Sequence, residues 1–302
     1  MEDMDAYYGL AGNTAIVEMA VCAGLPLVGE NKNPFAATTY GVGQLIKDAA
    51  YRGAKNIIVG LGGSAANDGG CGAAAACGVK FYDSEKKSFI PTGGTLKDIC
   101  DIDTAGFELE LKDTEITVMS DITNPMYGEN GAAYIFAPQK GASAADVIEL
   151  DKGLRNLGGF MGDDIPFMPG SGAAGGMGAG MVFFFGAKLR SGIETVLEIT
   201  RFDELIKGAD FIITGEGLFD SQSLGGKAVS GIAGRAKPKN IPVILIAGGA
   251  YNIPGAYEAG ISAVFTINRL PEDFSVSKRK SEDNLRETAN NIFNLIKIID
   301  SR

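Results

Sequence analysis

Short apolar strands that end in glycine-rich turns recur along this chain, and they constrain its fold more than any other feature. The chain contains 43 glycines among its 302 residues. Glycine lets the backbone turn tightly and approach a neighbouring segment or a ligand closely. Residues 56–61 illustrate the pattern, because this apolar run leads directly into the glycine-rich residues 62–70. Such turns are typical of α/β proteins, in which ligands bind beyond the carboxyl ends of parallel strands.

Helices and strands alternate along the chain, which predicts parallel, doubly wound sheets. The alternation becomes regular after about residue 192, and a chain of this length usually forms more than one domain. The sequence therefore predicts two α/β domains separated near residue 192. Strands are predicted at residues 14–20 (with a hairpin partner near 7–10), 56–61, 116–121, 211–214, 242–247 and 263–267. Helices are predicted at residues 39–52, 68–77, 146–157, 202–207, 227–236 and at the C-terminal end.

The charge balance and the residue content exclude several classes of function. A net charge of −10, from 27 basic and 37 acidic residues, argues against nucleic acid or an anionic membrane as a partner. The chain has no histidine and its four cysteines form no C-x-x-C pair, which excludes a histidine-containing zinc site and a Ser-His-Asp triad. The cysteines are predicted to be buried thiols of a cytoplasmic protein, and the acidic N-terminus is unlike a secretory signal.

Residues 62–70 form the first candidate binding loop, since they follow the apolar strand 56–61 directly. Backbone N–H groups in a glycine-rich loop can approach an anion, and the following helix adds its positive N-terminal end. Ser64, Asn67 and Asp68 supply polar side chains. A glycine turn in which Asn67 or Asp68 caps the helix explains the pattern equally well.

An uncharged stretch, residues 165–187, has the length and the small-residue spacing of a membrane helix. Its two prolines and its glycine- and serine-rich opening favour a buried helix with a glycine-lined face instead. The opening contains Gly170-x-Gly172-x-x-Gly175, the spacing of a dinucleotide-binding loop, but no convincing strand precedes it. An anion site in a loop that opens a helix remains the functional interpretation of this segment.

Two further segments place carboxylates at strand ends. Asp121 ends the predicted strand 116–121, where a carboxylate can hold Mg²⁺ or accept a proton. The alternative is an Asx turn ahead of a proline. Residues 214–227 contain Glu216, Asp220 and Lys227, which suit a metal–phosphate site, and a surface loop with a structural lysine is the alternative. Phosphate-type loops combined with carboxylates favour phosphoryl transfer.

Together, these segments resemble the bacterial glycerate kinase family. Five strings occur in the family's order, which is a far more specific signal than any one glycine loop. The matching strings are residues 62–70, Asn124-Pro125 with Gly128-x-x-Gly131-Ala132, residues 138–141, residues 169–176, and Gly215-Glu216-Gly217-x-x-Asp220-x-Gln222 with Gly226-Lys227. The resemblance implies an inserted α/β domain at residues 1–192, which carries the substrate and phosphate loops, and the C-terminal part of a flavodoxin-like domain at residues 193–302.

The resemblance also implies the reaction, which transfers the γ-phosphoryl group of ATP, with Mg²⁺, to a hydroxyl of glycerate. On this basis Asp121, Asp220 and Lys227 are expected to be catalytic. Glu216, Asp220 and Gln222 are expected to bind nucleotide and metal. The residues expected to contact substrate or phosphate are Ser64, Asn67, Asp68, Asn124, Gly170, Ser171 and Gly172.

The chain departs from the family's pattern in two respects. Val229 stands where the family usually has proline, which a helix start tolerates. The Ser-Phe-Lys-Gly and Asp-Gly-Gly-Glu-Gly strings of the family's N-terminal segment do not occur in the chain. Their absence predicts an incomplete flavodoxin-like sheet, self-association through its open edge and little activity. A non-catalytic remnant, or a subunit that needs a separate N-terminal piece, is the alternative. A dinucleotide-dependent oxidoreductase, suggested by Gly170-x-Gly172-x-x-Gly175, is the third hypothesis.

Overall fold

The structure, a computed structural model, describes residues 3–107, 111, 113–224, 228–268 and 270–300. The chain divides into two compact units, residues 1–191 and 192–302. The limits predicted from the sequence, 1–192 and 193–302, differ from this division by one residue. Both units combine parallel strands with helices, so the predicted α/β class is confirmed.

The first unit contains eight described strands and seven described helices. The strands are β1 (Gly9–Ala11), β2 (Thr14–Glu18), β3 (Asn56–Gly60), β4 (Lys80–Tyr82), β5 (Ser88–Phe89), β6 (Asp101–Asp103), β7 (Glu115–Met119) and β8 (Lys188–Arg190). The helices are α1 (Ala20–Ala23), α2 (Leu25–Val28), α3 (Tyr40–Tyr51), α4 (Cys71–Ala76), α5 (Ala132–Phe136), α6 (Ala144–Gly158) and α7 (Ala173–Phe185). Single 3₁₀ turns lie at Leu96–Asp98, Pro138–Lys140 and Ile165–Phe167.

The main sheet of the first unit brings four strand ends to one edge. Its order is β1-β2-β3-β7-β8, in which the last four strands run parallel and β1 forms the predicted antiparallel hairpin with β2. Val17, Val59 and Val118 lie side by side on these strands and are fully buried. They share one core with Ile46 of α3 and Met177 of α7. Because β3 and β7 are neighbours, the loops that follow them are neighbours too.

Helix α7 begins with a left-handed turn at residues 174–176, whose φ angles are 53°, 70° and 86°. Glycine adopts such angles at little cost. A Cβ on Gly175 would lie 2.3 Å from the carbonyl oxygen of Ala66, and one on Gly180 would lie 2.1 Å from that of Gly69. Helix α7 therefore touches the loop after β3 backbone to backbone, and the predicted buried, glycine-lined helix is confirmed. Within the described ranges, no helix has the length and apolar content needed to cross a bilayer.

A second, antiparallel sheet completes the first unit. Its order is β5-β4-β6, and Phe81 of β4 is buried against Leu154 of α6 and Phe184 of α7 in a separate core. Helix α6 begins with a capping box, in which Ser143 and Asp146 each accept a hydrogen bond from the other's backbone N–H. The three strands were not predicted, since runs of two or three residues carry too little periodicity to be recognised.

The second unit contains three described strands and five described helices. The elements are α8 (Gly192–Ile199), α9 (Phe202–Leu205), β9 (Ile212–Phe219), α10 (Ala228–Ala236), β10 (Val243–Ala250), β11 (Ile261–Thr266), α11 (Phe274–Ser277) and α12 (Ser281–Asp300), with 3₁₀ turns at Ser221–Leu224, Lys237–Lys239 and Lys278–Lys280. The strands form a parallel sheet of order β11-β10-β9. Leu245 of β10 packs with Val229 and Ala233 of α10, and Ile246 packs with Ile292 of α12. The two helices therefore cover opposite faces of the sheet.

Strand β9 is longer than predicted, and this corrects the expected loop at residues 214–227. The strand continues to Phe219, so that Glu216 is a strand residue paired with Ala247 of β10. Glycine normally weakens a strand, which is why the segment was predicted to be a loop. Here the glycines allow close contact, because a Cβ on Gly248 would lie 2.5 Å from the carbonyl oxygen of Gly217.

The backbone contact of α7 leads to the first prediction. Gly175→Ala should lower the free energy of unfolding by about 3 kcal/mol or more, because the new methyl group meets backbone that cannot yield. Gly186→Ala is the matched control, since Gly186 is also left-handed, with φ of 61°, but has no atom within 4 Å of the added Cβ. It should cost only about 1–2 kcal/mol, from backbone strain alone. Urea denaturation of both variants measures the difference, and equal losses would contradict the close contact.

Candidate active site

A pocket of about 300 Å³ opens at the carboxyl ends of β3 and β7 in the first unit. Polar and charged groups from three segments meet there: the loop after β3, the loop after β7 and the 3₁₀ turn Pro138–Lys140. Two of the residues predicted from the sequence, Ser64 and Asp121, line it. The full lining comprises Leu25, Leu61, Gly62, Gly63, Ser64, Met119, Ser120, Asp121, Ile122, Phe136, Gln139, Lys140, Ala173 and Ala174.

Asp68 is buried beneath this pocket's glycine loop, and its carboxylate fixes the loop's path. It accepts hydrogen bonds from the backbone N–H and the hydroxyl of Thr39, at 2.7 and 2.9 Å, just ahead of α3. It also accepts from the N–H groups of Gly70 and Gly72 at the start of α4, at 3.1 and 3.3 Å, and from the hydroxyl of Thr38 at 3.3 Å. One fully buried side chain thus joins the beginnings of two helices.

These contacts support the capping interpretation of Asp68 over its expected contact with substrate or phosphate. The side chain is 0% exposed and does not line the pocket. Burial raises the pKa of Asp68 above its usual value, although the donors on Thr39, Gly70 and Gly72 act in the opposite direction. Asp68 therefore acts on the pocket indirectly, through the path of the loop that it holds.

Lys140 is the pocket residue that the sequence analysis missed. Its ammonium group donates to Ser64 Oγ and to the carbonyl oxygen of Ala66, both at 2.7 Å. The residue is only 2% exposed, and burial lowers the pKa of its ammonium to about 8. Lysine is almost never buried in this way, so a lysine in a polar turn gave no local sign of its position. The one sequence feature that pointed to Lys140 was its place in residues 138–141, one of the five strings that carry the family resemblance.

Asp121 lies at the exposed side of the pocket. It follows β7 as predicted, and its Oδ1 accepts a hydrogen bond from the hydroxyl of Ser191 at 3.1 Å, in the segment after β8. The neighbouring backbone of Ser120 is held by β8, since its N–H donates to the carbonyl of Arg190 at 3.0 Å. The carboxylate is therefore presented to solvent and to the pocket by two adjacent strands.

The other residues expected to contact substrate or phosphate lie outside the pocket lining. Ser171 is buried and its hydroxyl donates to the carbonyl of Pro166 at 2.7 Å. Gly172 donates its N–H to the carbonyl of Asn124 at 3.0 Å, and the Asn124 amide donates to the carbonyl of Asn130 at 2.9 Å. These contacts brace the two loops against each other. Gly170 belongs to the same turn and has a left-handed φ of 89°.

Asn67 differs from its neighbours because its side chain is fully buried and both of its amide atoms lack a hydrogen-bond partner among the described residues. Buried amides are nearly always paired, so this position can accept a water molecule or a ligand group. Its contact with substrate stays a prediction.

In the second unit, the structure describes part of the predicted nucleotide and metal site. Glu216 Oε1 is buried and has no hydrogen-bond partner among the residues that the structure describes. Asp220 follows β9, and its N–H donates to Ser223 Oγ at 3.1 Å. Lys227 and the side chain of Gln222 lie outside the described part of the chain. In that described part, no three histidine, cysteine, aspartate or glutamate residues are grouped as a metal site.

A small pocket at the carboxyl ends of parallel strands, lined by a buried ammonium and an exposed carboxylate, is typical of α/β enzymes that bind small molecules. Comparison with known proteins identifies the family. The glycerate kinase family model matches residues 1–297, and this chain belongs to that family.

Relatives with assigned names agree with this family. The chain is 42% identical to a glycerate kinase of Bacillus cereus over all of its own length and 81% of the relative's. It is also 42% identical to the glycerate 2-kinase of Escherichia coli K12, with 96% of this chain and 78% of that one covered. A crystal structure designated glycerate kinase 2 from Salmonella typhimurium LT2 matches with a TM-score of 0.85 and 36% identity, covering 98% of this chain and 80% of that one.

These comparisons bear on the alternatives raised by the sequence. They give no support to a non-catalytic remnant or to a non-catalytic subunit, because the named relatives are glycerate kinases. None of the named relatives described above is an oxidoreductase, so the G-x-G-x-x-G spacing at residues 170–175 has no support as a dinucleotide fingerprint.

The position of Asp68 leads to a second prediction. Asp68→Asn should lower the free energy of unfolding by about 3 kcal/mol, because an amide NH₂ would face N–H donors in a fully buried site. Asp98→Asn, at an exposed aspartate of the same unit, is the control and should be neutral. Thermal and urea unfolding measure both effects. A variant with unchanged stability would contradict the structural role assigned to Asp68.

Proposed function

We propose that this chain is a glycerate kinase that transfers the γ-phosphoryl group of ATP to a hydroxyl of glycerate. Membership of the glycerate kinase family carries the proposal. The pocket at the ends of β3 and β7 supports it independently, since its volume suits a three-carbon acid and its wall combines one cation with one exposed carboxylate. A cytoplasmic location fits the use of ATP and the four free cysteines.

Asp121 is the proposed proton acceptor. During transfer, the substrate hydroxyl oxygen forms a bond to the γ-phosphorus, the bond between that phosphorus and the β–γ bridging oxygen breaks, and ADP leaves. The hydroxyl proton moves to the carboxylate of Asp121, which lines the pocket and is exposed enough to meet an incoming nucleotide. The hydrogen bond from Ser191 orients this carboxylate.

Residues of the second unit are proposed to bind the nucleotide and Mg²⁺. The buried Oε1 of Glu216, which has no partner among the described residues, is a hard oxygen donor of the kind that Mg²⁺ prefers, so the residues present fit the ion. Glu216 and Asp220 would hold it, Gln222 would contact the nucleotide, and Lys227 would neutralise charge on the moving phosphoryl group. Mg²⁺, when bound, offsets the negative charge of the phosphate oxygens.

The activity itself is the third prediction. With ATP and Mg²⁺, the purified chain should form ADP only when glycerate is added, at about 1–100 turnovers per second if it behaves as other kinases do. A coupled assay for ADP measures this rate, and ³¹P NMR identifies the phosphorylated product. Glycerate-dependent reduction of NAD without ADP formation would contradict the proposal.

The role of Asp121 gives the fourth prediction. Asp121→Asn should lower kcat by about a hundredfold or more and leave the KM for glycerate within a few-fold, because the carboxylate acts in the transition state. Asp163→Asn is the control, since Asp163 is an exposed aspartate of the same unit that does not line the pocket. Steady-state kinetics of both variants test the assignment. Normal turnover by the Asp121 variant would show that another group takes the proton.

A further inference from the structure

Lys140 is a buried cation whose ammonium forms no ion pair with a carboxylate of the described residues. Its side chain is 2% exposed, and within the described residues it forms no ion pair with an aspartate or a glutamate. The charge of Asp68 acts to raise the pKa of Lys140, but its carboxylate forms no hydrogen bond or ion pair with the ammonium. A buried ammonium without an ion-pair partner is costly to a fold, because Asp68 offsets its desolvation only in part. A ligand that supplies the missing negative charge explains why the cost is tolerated.

The hydrogen bonds of Lys140 leave donors available to such a ligand. An ammonium has three N–H donors, and two of them are used on Ser64 Oγ and the Ala66 carbonyl. The third has no acceptor in the described part of the chain. Because Ser64 accepts from Lys140, its own O–H is left to donate. Both residues line the pocket, so an ammonium and a hydroxyl are together available to a ligand that enters it.

We propose that Lys140, with Ser64, binds the carboxylate of the three-carbon hydroxy acid and so selects acids over neutral polyols. This inference rests on the proposed function. The reacting hydroxyl must meet the incoming phosphoryl group on the open side of the pocket, where Asp121 is exposed. The carboxylate is the part of the substrate that does not react, and it therefore belongs at the buried end, where Lys140 lies.

The charge on Lys140 makes this recognition dependent on pH. Burial lowers the pKa of Lys140 to about 8, so the ammonium is charged below that pH and loses its proton as the pH rises through it. Glycerate should consequently bind more weakly above about pH 8. Asp68, which opposes the shift at Lys140, and Asp121, which lines the pocket, are the other titratable groups here. A Lys140→Met variant reports their contribution separately.

The fifth prediction compares two neutral variants with wild type. Lys140→Met and Lys140→Gln should each weaken glycerate binding by about a hundredfold and leave binding of ATP with Mg²⁺ within about twofold. Lys152→Met is the control, since Lys152 is an exposed lysine paired with Glu149. Isothermal titration calorimetry with glycerate and with ATP measures both affinities, and melting curves verify folding. The preference for glycerate over glycerol, measured as kcat/KM, should fall by the same factor.

Each outcome of this experiment decides a different question. If wild type binds no glycerate, the proposed function fails and the inference fails with it. If wild type binds glycerate and both folded variants bind it equally well, only the inference is overturned and Lys140 is structural. Loss of ATP affinity with glycerate binding intact would overturn it too, since the cation would then serve the phosphates. The inference is supported if the variants lose affinity for glycerate but not for ATP, and if their glycerate affinity no longer falls above pH 8.

Discussion

The first unit depends on one buried carboxylate. Asp68 accepts hydrogen bonds from residues at the start of α3 and from residues at the start of α4, two helices between which β3 lies along the chain. Isolated helix starts leave N–H groups without partners, and a carboxylate is a strong acceptor for several of them at once. Because residues 62–67 run between β3 and this anchor, the shape of the pocket follows from where Asp68 lies.

Two buried charges of opposite sign, on Asp68 and Lys140, lie on either side of the loop after β3. Asp68 lies below the loop and is satisfied by protein donors, whereas Lys140 lies at the pocket and is satisfied only in part. The carboxylate therefore stabilises the fold, while the ammonium has a donor to spare. This difference in hydrogen bonding separates a structural charge from one that is available to a ligand.

Much of this arrangement could be predicted from the sequence because it depends on local patterns. The apolar runs at β3 and β7 predicted the positions of these strands, and Ser64 and Asp121 lie in the loops that follow them. Lys140 could not be found in this way, since its burial depends on contact with Ser64 and Ala66, more than seventy residues away in the chain. The extension of β9 through Gly217 could not be predicted for the same reason. It depends on the contact of Gly217 with Gly248 on the neighbouring strand, which the local sequence does not indicate.

The backbone contact between α7 and the loop after β3 has a consequence for how a ligand is received. Gly176 and Gly180 bring the helix into direct backbone contact with Gly69, which leaves no room for a side chain between the two segments. The conformational entropy of α7 and of the loop after β3 is therefore lost when the protein folds and not when a ligand binds. A small molecule would therefore meet a preorganised surface where α7 packs against the loop after β3. Any closure around it would have to come from segments that lack such backbone contacts.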